Sequence, residues 1–364
     1  MALFDKKVTK AAISPMPDVQ AAVGYGGANM IGDFWAYQQG EARAAAMQVA
    51  TISRARDLSA SVLASMPLKM YGERWNEEEG EMEEIPLAPR SWLRQPDPTV
   101  TYPFLMAWTF DDLLHYGKAY WYITARTQDG FPSAFTRIPA GSVTTPDVPG
   151  NIPFGPSKEV MFAGNFLKTD DVVQFLCPIE GIVYNGQQTI STALAIGEAR
   201  KRNASSAIPA GILKQTGGEP LSGQELADLA AQFNTARATN QTAALNEFLS
   251  YEATTASPDK MLLIESANYS ALEAARLCSV PPYLVGVSTG AYSYQSSEQA
   301  RADLYIFGVQ PYAQCIASTL SMNNVLPRGT YVKFDTDDFL IENQMADSMD
   351  ENQPEENTQE ELAE

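Results

Sequence analysis

Histidine is almost absent from this sequence: one residue, His115, in 364. A catalytic triad or a histidine-based metal site therefore has little to build on. Cysteine is scarce too. Cys177, Cys278 and Cys315 stand singly with no C-x-x-C pair, which excludes a disulfide scaffold and a zinc ribbon. Reduced thiols are expected, as in a protein made in a cytoplasm. Positive charge is in deficit, with 25 Lys plus Arg against 44 Asp plus Glu and a formal charge of −19. Such a chain does not coat DNA by neutralising phosphates, although DNA can pass through a hole without sticking. No G-x-x-x-x-G-K-[ST] loop occurs, so nucleotide-driven chemistry has no cradle, and Gly286-Val-Ser-Thr-Gly290 lacks the lysine. The opening residues have no apolar run of signal-peptide length, so export is not indicated. Residues 304–327 carry no charge and are long enough to span a bilayer. But Gln310, Pro311, Gln314, Asn323 and Asn324 interrupt them, and Leu304, Phe307, Tyr312, Ile316 and Leu320 share one face. A buried or inter-subunit helix is expected there.

What is present suits a globular α+β chain of two to three domains, 45% hydrophobic and 19% charged. Residues 1–40 are rich in Gly, Ala and Pro and read as a flexible arm. The alanine-rich stretch Glu41–Ala64 predicts a helix ending before Pro67, and Leu68–Tyr71 a short strand. Glu73–Glu84 reads as a solvated acidic hairpin loop, with turn chemistry at Trp75-Asn-Glu-Glu-Glu-Gly80. Thr101-Tyr-Pro103 opens a helix that stops at Gly117. Lys118–Arg126 is aromatic and β-branched, hence a strand, and Gln128-Asp-Gly130 a hairpin turn. Helix is predicted over 188–208, strand over 210–215, and a capping box at Ser222-Gly-Gln-Glu225 before Leu226, Leu229, Ala230 and Phe233. Residues 260–264 read as a strand and 267–279 as a helix stopped by Pro281-Pro282. A long helix from about Gln295 to Val325 is kinked by Pro311. Residues 341–364 hold nine acids and no Lys or Arg, a composition that predicts disorder.

Candidate chemistry is thin. Asp335, Asp337 and Asp338 could hold Mg²⁺, which prefers oxygen ligands, and a metal-dependent hydrolase is the alternative function they suggest. The plainer reading is a solvated strand end, with no metal. His115 near a helix end fits the helix dipole, and Asp111-Asp112 reads as a solvated pair. Arg200-Lys201-Arg202 could touch nucleic acid or an acidic partner, or simply face solvent. Tyr120-Trp121-Tyr122 alternates faces on a strand and reads as core.

One ordered set of segments resembles a family. Ser279-Val-Pro-Pro-Tyr-Leu-Val-Gly286, then Ala291-Tyr-Ser-Tyr-Gln-Ser-Ser-Glu-Gln299, then Gln310-Pro311 resemble the portal proteins of tailed bacteriophages, HK97-like branch. Ala64-Ser-Met-Pro-Leu-Lys-Met-Tyr71, Leu114-His-Tyr-Gly-Lys-Ala-Tyr120, Pro209-Ala-Gly-Ile-Leu213 and Lys333-Phe-Asp335 extend the likeness over about residues 45–340. Two departures stand out. Only the acidic tail follows Asp335, so the crown is expected to be minimal or absent. Ser296 also stands where the family motif carries asparagine.

The resemblance implies a portal-type subunit with an α/β wing, a helical stem, a small α/β clip and a long kinked helix. The wing falls at 41–186 and again, with the kinked helix, at 295–340. The stem helices fall at 187–207 and 265–280, the clip at 208–264, and the tunnel-loop region at 281–294. The tunnel loop itself is Val287, Ser288, Thr289, Gly290, Ala291, Tyr292, Ser293 and Tyr294. The basic cluster Arg200, Lys201, Arg202 lies in the first stem helix. Implied function is a ring, usually of twelve subunits, at one capsid vertex of a virion. Double-stranded DNA passes through it during packaging and ejection without sequence specificity. Implied partners are the large terminase, the major capsid protein and a head–tail adaptor, with no catalysis, cofactor or membrane. Synthesis in the host cytoplasm is expected.

Overall fold

Proline and glycine punctuate the chain where the sequence places them. A computed structural model describes residues 29–77, 80–148, 155–205, 211–238, 248–253, 263–287 and 297–336. Contacts divide the chain into two compact units, one of residues 1–186 with 275–364 and one of residues 187–274.

The first unit opens with helices α1 (Asn29–Gln48) and α2 (Ala50–Ser65). Two findings differ from expectation here. Helix begins at Asn29, inside the stretch read as a flexible arm, and it breaks at Val49, whose ψ of 108° is extended. Tertiary contact accompanies the first difference: the Gln39 side-chain amide donates to the Tyr184 hydroxyl and its backbone carbonyl accepts from the Tyr116 hydroxyl, each at 3.3 Å, contacts that local composition does not reveal. Met66, extended before Pro67, ends α2 as the proline requires.

Strands β1 (Leu68–Asn76) and β2 (Glu81–Pro86) follow. The expected acidic hairpin is present, its arms paired as a ladder with Glu73 opposite Glu84 and Trp75 opposite Met82. Its charges mask the two-residue alternation that identifies a strand. Short α3 (Ser91–Arg94) leads to α4 (Tyr102–Tyr116), which stops at Gly117 with φ 69°. That left-handed turn, closed by the Gly117 N–H on the Leu113 carbonyl, is what glycine alone takes without strain.

Strands β3 (Lys118–Arg126) and β4 (Pro132–Ile138) come next, then short β5 (Val143–Thr144), β6 (Val160–Phe162) and β7 (Asn165–Leu167), then β8 (Val172–Leu176). β3 is central in the antiparallel sheet β4-β3-β8, and residues 119–123 are buried without alternation. Both faces are therefore covered. On one face Trp121 packs between Phe135 and Phe175 and donates its indole N–H to Thr109 of α4 at 2.9 Å. On the other, Tyr120 and Tyr122 join Val143, Val160, Phe162 and Leu167 of the small sheet β5-β6-β7. The aromatic run is core, as its spacing suggests. Short α5 (Ile182–Asn185) closes this part.

In the second unit, α6 (Gln187–Ser205) precedes β9 (Gly211–Gln215). Then come α7 (Gly223–Ala238) and β10 (Leu249–Ala253), which pairs antiparallel with β9. The capping box is present: the Ser222 N–H donates to Glu225 at 2.8 Å and the Glu225 N–H to the Ser222 hydroxyl at 3.4 Å. Phe233 of α7 lies 5.3 Å from the Tyr251 ring of β10, fixing the helix on its two-stranded ribbon.

Helix α8 (Leu263–Leu277) crosses the unit boundary. Leu263 and Ile264 open this helix, where a strand over 260–264 is expected; residues 260–262 lie outside the described residues. A four-residue apolar run such as Met261–Ile264 cannot by periodicity alone distinguish strand from helix. The first unit resumes with α9 (Ser297–Asp303), a π-helical stretch Leu304–Val309, α10 (Gln310–Leu320) and β11 (Thr330–Phe334). β11 pairs with β1 in the sheet β11-β1-β2. No described helix is long and apolar enough to cross a membrane.

Candidate functional site

The loop singled out in the sequence begins at Val287, and residues 288–296 lie outside the described residues. Its two bases can be built. On one side Val280, Pro281 and Pro282 lead into a 3-10 turn over Pro282–Val285, ended by Gly286 at φ 81°. The Val287 N–H closes it on the Pro282 carbonyl at 3.0 Å. Ser279, with φ 54°, takes the left-handed conformation that a serine rarely adopts. On the other side the π stretch brings Gly308 close to the Ser279 carbonyl and to Ser59 of α2. A side chain at Gly308 would come within 3.4 Å of that carbonyl and 3.5 Å of the Ser59 hydroxyl. Ser279, before the loop, and Gly308, in the π stretch after it, thus approach one another and α2 closely because both are small.

Pro311 falls in the first turn of α10, directly after the π stretch. A proline inside a helix leaves a carbonyl one turn back without its donor, and widening that turn accommodates the missing N–H. The interruption expected at Pro311 therefore takes the form of six π-helical residues upstream of it. The described helical run covers 297–320, shorter at its C-terminus than Val325. Tyr312 then packs edge-on against Phe110 of α4, 4.9 Å between centroids.

Beneath this region α4 carries a charge cluster that the sequence reading places in solvent. Asp111 and Asp112 are instead 1% and 2% exposed. Arg43 of α1 holds Asp111 with two hydrogen bonds of 2.8 and 2.9 Å, and Arg56 of α2 adds a third at 2.8 Å. Arg137 of β4 holds Asp112 at 2.7 and 2.8 Å, helped by the Ala140 N–H. All three guanidinium groups also sit 4.9–5.3 Å from the Trp108 ring centroid. Burial explains the error: partners 25 to 68 residues away in sequence compensate the charges. Burial raises the Asp111 pKa, but the Arg43 hydrogen bond and the charges of His115, Arg43 and Arg56 carry it below the ordinary carboxylate value. For Asp112 burial wins over the single Arg137, and the value rises to about 6.

His115 is wholly buried, so the dipole reading, which needs a cationic ring, is overturned. Burial first, then Arg43 and Arg56, depress its pKa against the opposing pull of Asp111. Its Nδ1 lies 2.9 Å from the Asp111 carbonyl, which makes Nδ1–H the donor. The three cysteines are free and buried.

The remaining sequence candidates do not converge. Arg200, Lys201 and Arg202 are exposed on α6. Asp335 pairs with Lys69 at 2.5 Å, while Asp337 and Asp338 lie outside the described residues. Among the described residues no three His, Cys, Asp or Glu gather as a metal site. The π stretch and the Asp–Arg–Trp cluster are features the sequence reading missed. For the cluster only the adjacent acids on an apolar helix gave a signal.

A loop held on small residues, followed by a proline-interrupted helix, is one part of an ordered pattern that a family model recognises as a whole. The model described as phage portal protein matches residues 50–350. The chain belongs to the phage portal protein family. Solved portal structures share its fold. The crystal structure of an HK97 family phage portal protein from Corynebacterium diphtheriae is 23% identical, with TM-score 0.65, covering 82% of this chain and 97% of that one. The virion of a native gene transfer agent particle contains a chain 17% identical, with TM-score 0.58, covering 88% and 91%. A neck of the native gene transfer agent particle, computed with C12 symmetry, contains one 17% identical, with TM-score 0.54, covering 85% and 87%. None of the curated proteins compared with the chain matches it.

Proposed function

We propose that copies of this chain form the portal ring of a tailed-phage-like virion, at one capsid vertex. Double-stranded DNA passes through its channel during packaging and ejection, and the large terminase, the major capsid protein and a head–tail adaptor dock on it. The observation that carries the reading is the family match over residues 50–350. A subunit count near twelve accords with the C12 symmetry of the related gene transfer agent neck. The protein acts as a conduit with no chemistry of its own.

The division of the chain supports the proposed parts. The first unit's break after Gly186 coincides with the proposed end of the wing at 186, and the second unit holds the proposed first stem helix and the clip. In this reading Val287–Tyr294 is the tunnel loop, Pro311 steers the helix behind it, and Arg200–Arg202 belong to the stem. A net charge of −19 suits a channel through which DNA slides, because bound phosphates would act as a brake.

Negative-stain electron microscopy of the purified full chain tests the proposal. Rings with an axial channel and about twelvefold symmetry are the expected result. Small monodisperse particles at every concentration would overturn it. A Mg²⁺-dependent hydrolysis lost in Asp337→Asn would then favour the enzyme.

A further inference from the structure

The hairpin of β1 and β2 extends past the core with a bare apolar face. Leu68 and Met70 point inward and are buried. The alternate residues Tyr71, Glu73 and Trp75 point outward, beside Tyr331 and Lys333 of β11 and Met82 and Glu84 of β2. Near its base this outer face is closed: Tyr71 and Tyr331 stack at 5.9 Å, and Lys333 lies over both rings and pairs with Glu84. Toward the tip it is open. Trp75 is 57% exposed and Met82, directly opposite, 54%. An adjacent Trp and Met in water form a surface that binding would dry. Around them the segment 68–86 holds seven glutamates against one lysine and one arginine. Its occupant must therefore be apolar and basic.

One segment of this chain has that composition. Residues 3–14 read LFDKKVTKAAIS: Lys6, Lys7 and Lys10 against Asp5 alone, with Leu3, Phe4, Val8 and Ile13. The acidic tail is excluded, because residues 341–364 would bring nine more acids to an acidic hairpin. The residues that tether the segment to α1, 15–28, span up to about 46 Å when extended, at roughly 3.3 Å each. Tethering further gives the segment an effective concentration on the order of millimolar at its own hairpin.

We propose that the basic segment 3–14 docks on the Trp75–Met82 face of its own chain, with Lys6, Lys7 and Lys10 against the hairpin glutamates. The inference does not depend on ring formation. Its test places a photoreactive benzoylphenylalanine at position 75 of the full-length chain, in place of the exposed Trp75. Irradiation products are then mapped by mass spectrometry and sized on a denaturing gel. The expected product joins position 75 to residues 3–14 within one chain. Its yield falls at least about tenfold in Lys6→Glu/Lys7→Glu/Lys10→Glu and recovers when Glu73→Lys and Glu77→Lys are added. Several results would overturn the proposal: a product of two-chain size, one ending elsewhere such as Arg200–Arg202, or a yield indifferent to charge reversal. If the position-75 chain does not fold, the same probe at Met82 gives the same discrimination. Particle shape, read separately, decides the portal reading whatever the cross-link shows.

Discussion

Helices α4 and α6 are similar in length, 15 and 19 residues, and opposite in what they require. α4 buries ten of its residues, among them two aspartates and a histidine, and finds every charge partner inside its own unit. α6 carries Gln188, Ser191, Thr192, Ala195, Glu198 and Arg200–Arg202 exposed, on a weakly amphipathic alanine-rich sequence. Packing of an amphipathic face, more than intrinsic propensity, supplies most helical stability in proteins. One helix is therefore completed by its own chain, whereas the other presents a surface that a neighbouring copy in a ring would complete. If the proposed ring forms, the difference would separate residues that hold the subunit together from residues that serve assembly.

The largest effect should come from the self-completed side. Asp111→Ala takes from Arg43 its carboxylate partner and leaves Arg56 only the exposed Asp57 beside Trp108. Removing one partner of a buried ion pair costs about 3 kcal/mol or more. Urea unfolding should show a lower midpoint at unchanged slope. A midpoint within error of the parent would mean that the Trp108 ring alone holds the two guanidinium groups.

A smaller effect appears in the pH dependence. The folded chain depresses the pKa of His115 below the ordinary imidazole value of about 6.5, burial being the main cause. Stability from keeping the ring neutral is therefore complete above about pH 6.5. It is lost as pH falls and the unfolded chain takes up a proton that the folded chain refuses. Asp112, raised to about 6, acts in the opposite sense below that pH, because the folded chain takes its proton first. The net decline is thus concentrated just below neutrality. His115→Gln should flatten the fall in melting temperature between pH 7.5 and 6. An unchanged slope would assign the decline to other groups.

These two sites also show where sequence reading stops. Gly117, the Ser222–Glu225 box, the β3 strand and the Pro281-Pro282 stop are local: a turn, a cap or a run of β-branched and aromatic residues encodes each within a few positions. All are found in the structure. Asp111 and Asp112 look like solvent residues because the arginines that neutralise them come from α1, α2 and β4. The hairpin over 73–84 announces itself by its acidic turn, but its glutamates hide the alternation of Tyr71, Trp75 and Met82 that makes its arms strands. Pro311 announces a disturbance in the helix, but not that it appears upstream as a π stretch. For function, the composition gave exclusions, and the ordered family segments gave the portal reading.

The capping box offers a test in the second unit on a smaller scale. Ser222→Ala removes the hydroxyl that accepts the Glu225 N–H, and such caps are worth about 1 kcal/mol. Loss of helical signal, with hydrogen exchange rising first in α7, is the expected outcome. Equal exchange in both proteins would mean that the Phe233–Tyr251 contact holds the helix without its cap.

The smallest effect on stability should come from the exposed basic cluster of α6. Arg200→Ala, Lys201→Ala and Arg202→Ala together change exposed positions on α6, where substitutions usually move stability by less than about 0.5 kcal/mol. If α6 is completed by neighbouring copies, the same triple change should alter the ring-to-monomer ratio, read by analytical ultracentrifugation, with the monomer's melting temperature unmoved. The opposite pattern, a lower melting temperature with assembly unchanged, would place these residues with α4 on the self-completed side and remove the distinction drawn between the two helices.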